Sequence, residues 1–249
     1  MKPAIQVRNV SKEYQLIRAR TDSLKGLVLS FRKSRPERFV ALKNITLSID
    51  QGETVAIVGK NGSGKSTLLR IIGRVYRATT GSVEVDGRMS TMLELGAGFH
   101  PELTGRENIY FNGAIMGLST AEVSQKIDRI IDFAEINDFI DSPVKSFSDG
   151  MIMRLGFAVA IETDPDILLI DEVLAVGDAE FQGKCYERID SFKRAGRTIV
   201  FVTHDLDAAK AVASRTVWLH AGEVLADCDT PTAIDAYLNS VPHHERKGP

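Results

Sequence analysis

The sequence predicts an α/β protein, because short strand-like runs alternate with helical ones along most of the chain. Residues 45–49 alternate apolar and polar side chains, which is the pattern of a strand with one buried face. Compact apolar runs at 54–58, 167–170 and 198–202 indicate buried strands, and a helical segment follows each of them. Isoleucines at helical spacing within 121–136 indicate a further helix with one apolar face.

The composition limits the class of protein. With 249 residues, of which 43% are hydrophobic and 26% charged, the chain has the make-up of a folded globular protein. Its net charge of −2 provides no basic field, so we expect no nucleic-acid partner. Cys185 and Cys228 lack a metal-binding spacing and are expected to be reduced. The sequence shows no signal peptide and no apolar stretch of about 18 residues, which predicts a cytoplasmic location.

The segment after Val58 matches the phosphate-loop pattern G-x-x-x-x-G-K-[ST], and it lies between an apolar strand and an apolar helix. Its glycines let the backbone curl so that N–H groups point at phosphate oxygens, and the N-terminus of the next helix adds positive potential. Lys65 is expected to reach the β- and γ-phosphates, and Ser66 to hold Mg²⁺. The predicted ATP-binding residues are Gly59, Lys60, Asn61, Gly62, Ser63, Gly64, Lys65, Ser66 and Thr67.

Two adjacent carboxylates, Asp171 and Glu172, follow the apolar run at 167–170. A buried strand delivers them to its carboxyl end, where α/β sheets bind ligands. Asp171 is expected to hold Mg²⁺ through water, and Glu172 to polarise the attacking water as general base. The loop and the carboxylates together fit many P-loop NTPases.

Further motifs resemble those of the ABC ATPases. The segment at 147–151, Phe-Ser-Asp-Gly-Met, resembles the LSGGQ signature of that family and opens a predicted helix. Residues 175–178 resemble its D-loop, the segment at 203–205 contains a residue that resembles its switch histidine, and Tyr14 resembles the aromatic that stacks on adenine. Each motif alone is weak, but they occur in the order of the family from residue 14 to residue 205. The resemblance therefore covers nearly the whole chain.

The resemblance implies one nucleotide-binding domain at 1–240, with a RecA-like P-loop core, an N-terminal antiparallel β subdomain and a helical subdomain at about 98–160. It also implies a head-to-tail homodimer with two ATP molecules between the subunits. Ser148 and the Gly150 backbone of one subunit would complete the γ-phosphate shell of the other, with Asp178 also at the nucleotide. His204 would contact the γ-phosphate and sense its loss.

Two places depart from the family pattern. Asp149 stands at the first signature glycine and Met151 at the glutamine, and a carboxylate near a triphosphate costs energy unless it points away. Where the family has its Q-loop glutamine, this chain has Glu94 or Leu95. We assign the Mg²⁺ role at that place to Glu94.

The run at 93–108, LELGAGFHPELTGREN, resembles the ATPase subunits of polysaccharide exporters, which move lipid-linked O-antigen, capsule, teichoic acid or galactan. The run DEVLAVGD at 171–178 is similar to that subgroup as well. This resemblance implies two integral membrane permease subunits as partners, lipid-linked polysaccharide as the transported molecule and a peripheral place on the cytoplasmic face of the inner membrane. Some O-antigen members append a carbohydrate-binding domain; here we expect only a flexible tail at 241–249.

A basic insertion is predicted at about 17–38. Between Leu16 and Phe39, seven basic residues stand against two acidic ones. Leu24, Leu27, Val28 and Phe31 would form an apolar stripe on a short helix. Two interpretations remain open: a solvated surface insertion, or a contact with anionic lipid headgroups or a membrane subunit.

Three other classes of ATPase share parts of this pattern. Chromosome-maintenance ATPases need a long coiled coil between the phosphate loop and the signature, and the segment between Lys65 and Ser148 leaves no room for one. ATP clamps and translation factors usually carry two ATPase units in one chain, whereas this sequence has one unit and an intact Glu172, which speak against that class. The ATPase of another ABC importer or exporter stays open, because only the region at 92–108 favours polysaccharide.

Overall fold

The computed structural model describes residues 2–16, 37–93, 98–171 and 177–240. The described strands are β1 (Ile5–Leu16), β2 (Glu37–Ile49), β3 (Thr54–Val58), β4 (Thr80–Val85), β5 (Met89–Thr91), β6 (Ile167–Asp171), β7 (Thr198–Val202), β8 (Arg215–His220) and β9 (Glu223–Asp229). The described α-helices are α1 (Lys65–Ile72), α2 (Gly105–Ile115), α3 (Thr120–Ala134), α4 (Asp149–Glu162), α5 (Ala179–Arg194), α6 (Leu206–Val212) and α7 (Thr230–Ser240). Short 3-10 turns at Asn137–Phe139 and Val144–Ser146 lie between α3 and α4.

The larger sheet has six strands in the order β5-β6-β7-β3-β8-β9. Its neighbours pair in parallel, except that β8 and β9 form an antiparallel hairpin. All residues of β3, β6 and β7 are buried, as expected for parallel strands covered on both faces. The alternation of strands and helices therefore yields the predicted α/β core.

Alternate residues of the central strand β3 face opposite sides of this sheet. Val55 and Ile57 pack in one cluster with α1 and the N-terminal strands. Ala56 and Val58 pack on the other side in a cluster with residues of α6, α7 and β8. The phosphate loop, which follows β3, thus begins from a fully buried strand that is packed on both faces.

The N-terminal strands form a separate antiparallel sheet in the order β2-β1-β4. In it β2 runs beside β1 so that Tyr14 stands opposite Phe39 and Ile5 opposite Ile49. The inner face of this sheet packs on α1. In β2, the carbonyl oxygen of Ala41 and the side chain of Leu42 lie against Gly64 of the phosphate loop.

The helices α2, α3 and α4 pack around a hydrophobic cluster of their own. Two capping boxes start the first two: Thr104 with Glu107 at α2, and Ser119 with Glu122 at α3. The buried residues of α3 recur at helical spacing and are Val123, Ile127, Ile130, Ile131 and Ala134. No helix within the described ranges is long and apolar enough to cross a membrane.

Three phenylalanines join this helical cluster to the six-stranded sheet. Phe157 of α4 is fully buried, and its ring centroid lies 5.8 Å from that of Phe133 in α3 and 6.2 Å from that of Phe181 in α5. Phe157 and Phe181 belong to the cluster beneath β6 and β7. This group of three aromatic rings therefore ties α4, whose N-cap is Ser148, to the core.

We expect Phe157→Ala to lower the free energy of unfolding by about 3–5 kcal/mol, because it leaves a cavity among these rings. Phe139→Ala makes the same chemical change at an exposed site and should stay within about 0.5 kcal/mol of the wild type. Urea unfolding followed by far-UV circular dichroism measures both values. Equal stability of the two variants would contradict the joining role of Phe157.

Candidate functional site

The loop between β3 and α1 is held in a conformation that only glycine allows at two positions. Gly59 has φ +154°, and a Cβ there would lie 2.2 Å from the carbonyl oxygen of Leu219. Gly64 has φ +105°, and a Cβ there would lie 2.7 Å from the carbonyl oxygen of Ala41. The loop is therefore enclosed by β2 and by the end of β8, and its conformation is fixed by the fold.

Lys65 follows this loop directly and is the first residue of α1. Its side chain is buried, and Nζ donates hydrogen bonds to the carbonyl oxygens of Gly59 at 2.8 Å and Lys60 at 3.3 Å. Burial lowers the pKa of Lys65, while the carboxylate of Asp171 opposes that shift. Because burial disfavours the charged form of Lys65, an incoming polyanion stabilises its ammonium, as a phosphate site requires.

Ser66 and Asp171 meet although 105 residues separate them. Ser66 Oγ donates a hydrogen bond to Asp171 Oδ1 at 3.3 Å. Burial raises the pKa of Asp171, and the hydrogen bond from Ser66 and the charges of Arg70 and Lys65 counteract that rise. A hydroxyl and a carboxylate oxygen at this distance match the hard oxygen ligands that Mg²⁺ takes together with phosphates and water.

The described residues offer no denser metal site than this pair. No group of three or more His, Cys, Asp or Glu side chains within them could hold a metal ion. A Mg²⁺ bound by one carboxylate, one hydroxyl and substrate phosphates needs no such group. Ser66 and Asp171 therefore fit Mg²⁺, whereas the third predicted ligand, Glu94, lies outside the described residues.

A cavity of about 280 Å³ opens above the loop. Its lining residues are Phe39, Ala41, Asn61, Gly62, Gly64, Lys65, Ser66 and Thr67. Ser63 of the same loop has a buried Oγ that finds no hydrogen-bond partner among the described residues. The loop thus brings together a hydroxyl without a partner, the N–H groups of a curled backbone and a helix N-terminus. These groups can donate hydrogen bonds to the oxygens of a nucleotide phosphate.

Each predicted catalytic residue follows a strand of the larger sheet: His204 follows β7, which pairs with β3, and Glu172 follows β6, which pairs with β7. His204 comes two residues after β7, is exposed, and lies next to Thr203, whose N–H donates to the carbonyl of Ile57 in β3. The strand order puts β7 between the phosphate loop strand and β6. Glu172, directly after β6, lies outside the described residues, and its role as general base stays a prediction.

The signature residues stand at the start of α4. Ser148 is the N-cap, and its Oγ accepts a hydrogen bond from the N–H of Met151 at 3.2 Å. Ser148 is exposed, and neither it nor Gly150 is among the residues that line the cavity of the same chain. Asp149 is also exposed, in the first turn of the helix.

Asp178 connects the signature helix to α5. As the N-cap of α5 it accepts a hydrogen bond from the N–H of Phe181 at 2.9 Å, and its other oxygen accepts one from Arg154 at 2.7 Å. The bond from Phe181 and the charge of Arg154 hold the pKa of Asp178 below its ordinary value. Arg154 also binds Glu135 at the end of α3. One guanidinium thus links the helical cluster with the D-loop.

Tyr14 lies beside the cavity but is not among its lining residues. Its ring meets Tyr76 edge-on at 6.5 Å, and Lys12 Nζ stands 5.1 Å from its centroid. Its cross-strand partner Phe39 lines the cavity instead. Sequence reasoning assigned no role to Phe39 or to Arg154, although Arg154 follows the signature and Phe39 is an aromatic just before Ala41.

The chain is similar to ATPase subunits of known export systems. The ABC transporter family profile matches residues 42–175. An O-antigen export system ATP-binding protein, RfbB of Klebsiella pneumoniae, is 46% identical over 223 residues, which is 88% of this chain and 91% of that protein. A teichoic acids export ATP-binding protein, TagH of Lactiplantibacillus plantarum, is 44% identical over 233 residues, which is 94% of this chain and 64% of that protein.

Solved ATP-binding cassettes share the fold. The dimeric structure of a post-hydrolysis state of the cassette MJ0796, bound to ADP and Pi, superposes with a TM-score of 0.73 at 26% identity and covers 91% of this chain and 98% of that one. A second dimeric structure of the same bacterial ABC transporter cassette gives a TM-score of 0.72. These similarities confirm the predicted P-loop NTPase fold. The chain belongs to the ABC transporter family and is one of its ATP-hydrolysing subunits.

Proposed function

We propose that this chain hydrolyses ATP to drive export of a lipid-linked polysaccharide across the cytoplasmic membrane. The observation that carries the proposal is its 46% identity, over 88% of its length, to an O-antigen export ATP-binding protein. The similarity to a teichoic acids export ATP-binding protein points to the same kind of cargo. The chain would work as a peripheral subunit at the cytoplasmic face.

The proposed chemistry uses groups from both sides of the cavity. The loop N–H groups and Lys65 would hold the phosphates, while Ser66, Asp171 and Glu94 would hold Mg²⁺, which would supply positive charge at the phosphates. Glu172 accepts a proton from the water whose oxygen attacks the γ-phosphorus, and the bond between the γ-phosphorus and the β–γ bridging oxygen breaks as ADP leaves with that oxygen. His204 contacts the γ-phosphate and responds to its loss.

A homodimer would complete the site. The N-terminus of α4, with exposed Ser148 and the half-buried Gly150, does not line the cavity of its own chain, and a helix N-terminus carries positive potential. The same helix end in a second copy could reach the γ-phosphate, as the dimeric cassettes with this fold suggest. Hydrolysis would then require the two copies to close, which turns chemistry into motion.

An apolar face on α2 suits a membrane subunit. Phe111 and Ile115 lie one turn apart and are 47% and 64% exposed. Exposed large apolar side chains that adjoin on one helix face mark interaction surfaces. The basic insertion at about 17–38 remains a second predicted contact with lipid or a membrane subunit, and its residues 17–36 lie outside the described ranges.

We expect Glu172→Gln to keep ATP affinity near that of the wild type while turnover falls by several orders of magnitude, because the base is lost. Expressed in its host, this variant should make lipid-linked polysaccharide accumulate on the cytoplasmic side, with surface glycan lost. Sugar analysis of the accumulated lipid would identify the cargo.

Glu187→Gln is the matched control, because Glu187 is an exposed residue of α5 and the chemical change is the same. Unaltered turnover in Glu172→Gln would contradict the general-base assignment. If turnover is lost but glycan is unchanged on both sides of the membrane, the ATPase assignment stands and the cargo is another molecule. The chain would then serve another kind of ABC importer or exporter.

We expect Phe111→Asp with Ile115→Asp to release the chain from membranes that contain its permease, since buried carboxylates destabilise an apolar contact. ATP hydrolysis by the isolated chain should change by less than about 2-fold, because exposed substitutions rarely disturb the fold. Membrane flotation measures the release.

Leu225→Asp on β9 is the control for this pair, because Leu225 is an exposed apolar residue on another element. It should leave flotation unchanged. Full membrane association of the α2 variant would show that the permease contacts another face.

A further inference from the structure

The last residue of α4 is an acidic side chain in a place that disfavours negative charge. Glu162 is buried, with its side chain 11% exposed, and α4 has no basic residue in its last turn. The C-terminus of a helix carries negative potential, and burial removes the water that would otherwise solvate the carboxylate. The charge of Glu162 must therefore be balanced by residues of other elements.

Three cations from two neighbouring helices provide that balance. Arg129 of α3 and Arg188 of α5 approach the carboxylate of Glu162, with N–O distances of 3.3 Å and 3.1 Å. Lys126 of α3 donates a hydrogen bond from Nζ to the carbonyl oxygen of Glu162 at 2.6 Å. Arg129 is mostly exposed, so its ion pair contributes little, whereas Arg188 also donates a hydrogen bond from Nη2. The end of α4 is thus bound to α3 and to α5.

The signs of the charges are reversed about two turns earlier in the same helix. Arg154 stands eight residues before Glu162, which is about 12 Å along the helix axis. It donates to Glu135, the C-cap of α3, and to Asp178, the N-cap of α5, both at 2.7 Å. Near its start α4 therefore carries a cation held by two carboxylates, and at its end a carboxylate held by cations. The partners at both places belong to α3 and α5.

This reversal restricts how α4 can sit against its neighbours. Between the two charged places, the rings of Phe133, Phe157 and Phe181 make apolar contacts, which tolerate small shifts. A rotation or a slide of α4 would separate the ion pairs at both places together and leave the buried carboxylate of Glu162 uncompensated. Ion pairs of this kind can specify one arrangement of packed helices even where they add little stability.

We propose that Glu162 is a positioning residue that fixes α4 against α3 and α5 and so sets where Ser148, at the other end of α4, meets the nucleotide of a second copy. The helix has 14 residues, so its length is about 21 Å. At that length a tilt of about 3° at Glu162 displaces Ser148 by about 1 Å. The inference rests on the proposed dimeric site, and it does not depend on the cargo.

Isothermal titration with ATP and steady-state turnover with MgATP, both on the full chain, test this role. Glu162→Gln removes the charge at nearly constant size and should lower kcat by about 10-fold, because a misplacement of about 1 Å can cost up to about 100-fold in rate. The Kd for ATP should stay within about 2-fold of the wild type, because the phosphate loop lies on other elements of the chain.

Arg188→Gln removes the partner on α5 and should also lower kcat, with the Kd for ATP again unchanged. The double variant, Glu162→Gln with Arg188→Gln, should be no slower than Glu162→Gln alone, because both substitutions break the same ion pair. Losses of kcat that multiply in the double variant would show that the two residues act separately, and that result would overturn the proposal.

Glu53→Gln is the matched control, because it makes the same chemical change at another carboxylate held by an arginine. The Glu53 side chain is 20% exposed and accepts a hydrogen bond from Arg215 at 3.1 Å, at the start of β3. Urea unfolding should show a similar loss of stability in both Glu→Gln variants, whereas kcat should fall only in Glu162→Gln. A wild-type kcat in Glu162→Gln, or an equal fall of kcat in Glu53→Gln, would contradict the positioning role.

Ser148→Ala separates this inference from the site on which it rests. Unchanged turnover in Ser148→Ala would contradict the dimeric site itself, and the positioning role would fall with it. Slow turnover in Ser148→Ala together with normal turnover in Glu162→Gln would overturn the positioning role alone. The polysaccharide assignment is unaffected in either case, since that depends on glycan measurements in the cell.

Discussion

The parallel pairing of β3, β7 and β6 is the constraint on which the site depends. It places the carboxyl ends of three strands side by side, so that the loop after β3, His204 after β7 and Asp171 at the end of β6 share one edge. The hydrogen bond between Ser66 and Asp171 is the visible product of that pairing. Neither residue could reach the other through local structure, because the whole helical cluster lies between them in sequence.

This convergence costs free energy in the absence of a ligand. Burial pushes the pKa of Lys65 down and that of Asp171 up, so both groups are held in surroundings that disfavour their charged forms. The hydroxyl of Ser63 adds a buried polar atom without a partner among the described residues. A polyphosphate with its metal would compensate all three, so its binding would stabilise the folded chain. Arg154, which binds both Asp178 and Glu135, connects the end of α3 to the start of α5.

Sequence alone predicted the fold class and the main strands, because compact β-branched runs and helical spacing are local signals. The strands at 54–58 and 198–202 have the predicted bounds, and the helix predicted within 121–136 spans Thr120–Ala134. The phosphate loop was evident because its glycines and lysine are contiguous. Phe39 was not, because its place at the cavity depends on the pairing of β2 with β1 and on contacts through Gly222, which no local pattern reveals. The roles of Glu94 and Glu172 stay predictions, since both lie outside the described residues.

The central claim is that the loop of one copy and the signature of another form a single ATP site. The test introduces Asn61→Cys and Ser148→Cys into a chain that also carries Cys228→Ser and Glu172→Gln. A short thiol-specific cross-linker is then added. The remaining native thiol, Cys185, is buried, and its burial raises the pKa to about 12, so it should not react. The account predicts a covalent dimer on a denaturing gel that forms with MgATP and needs both cysteines. Monomer alone, from a chain that still binds ATP, would contradict it.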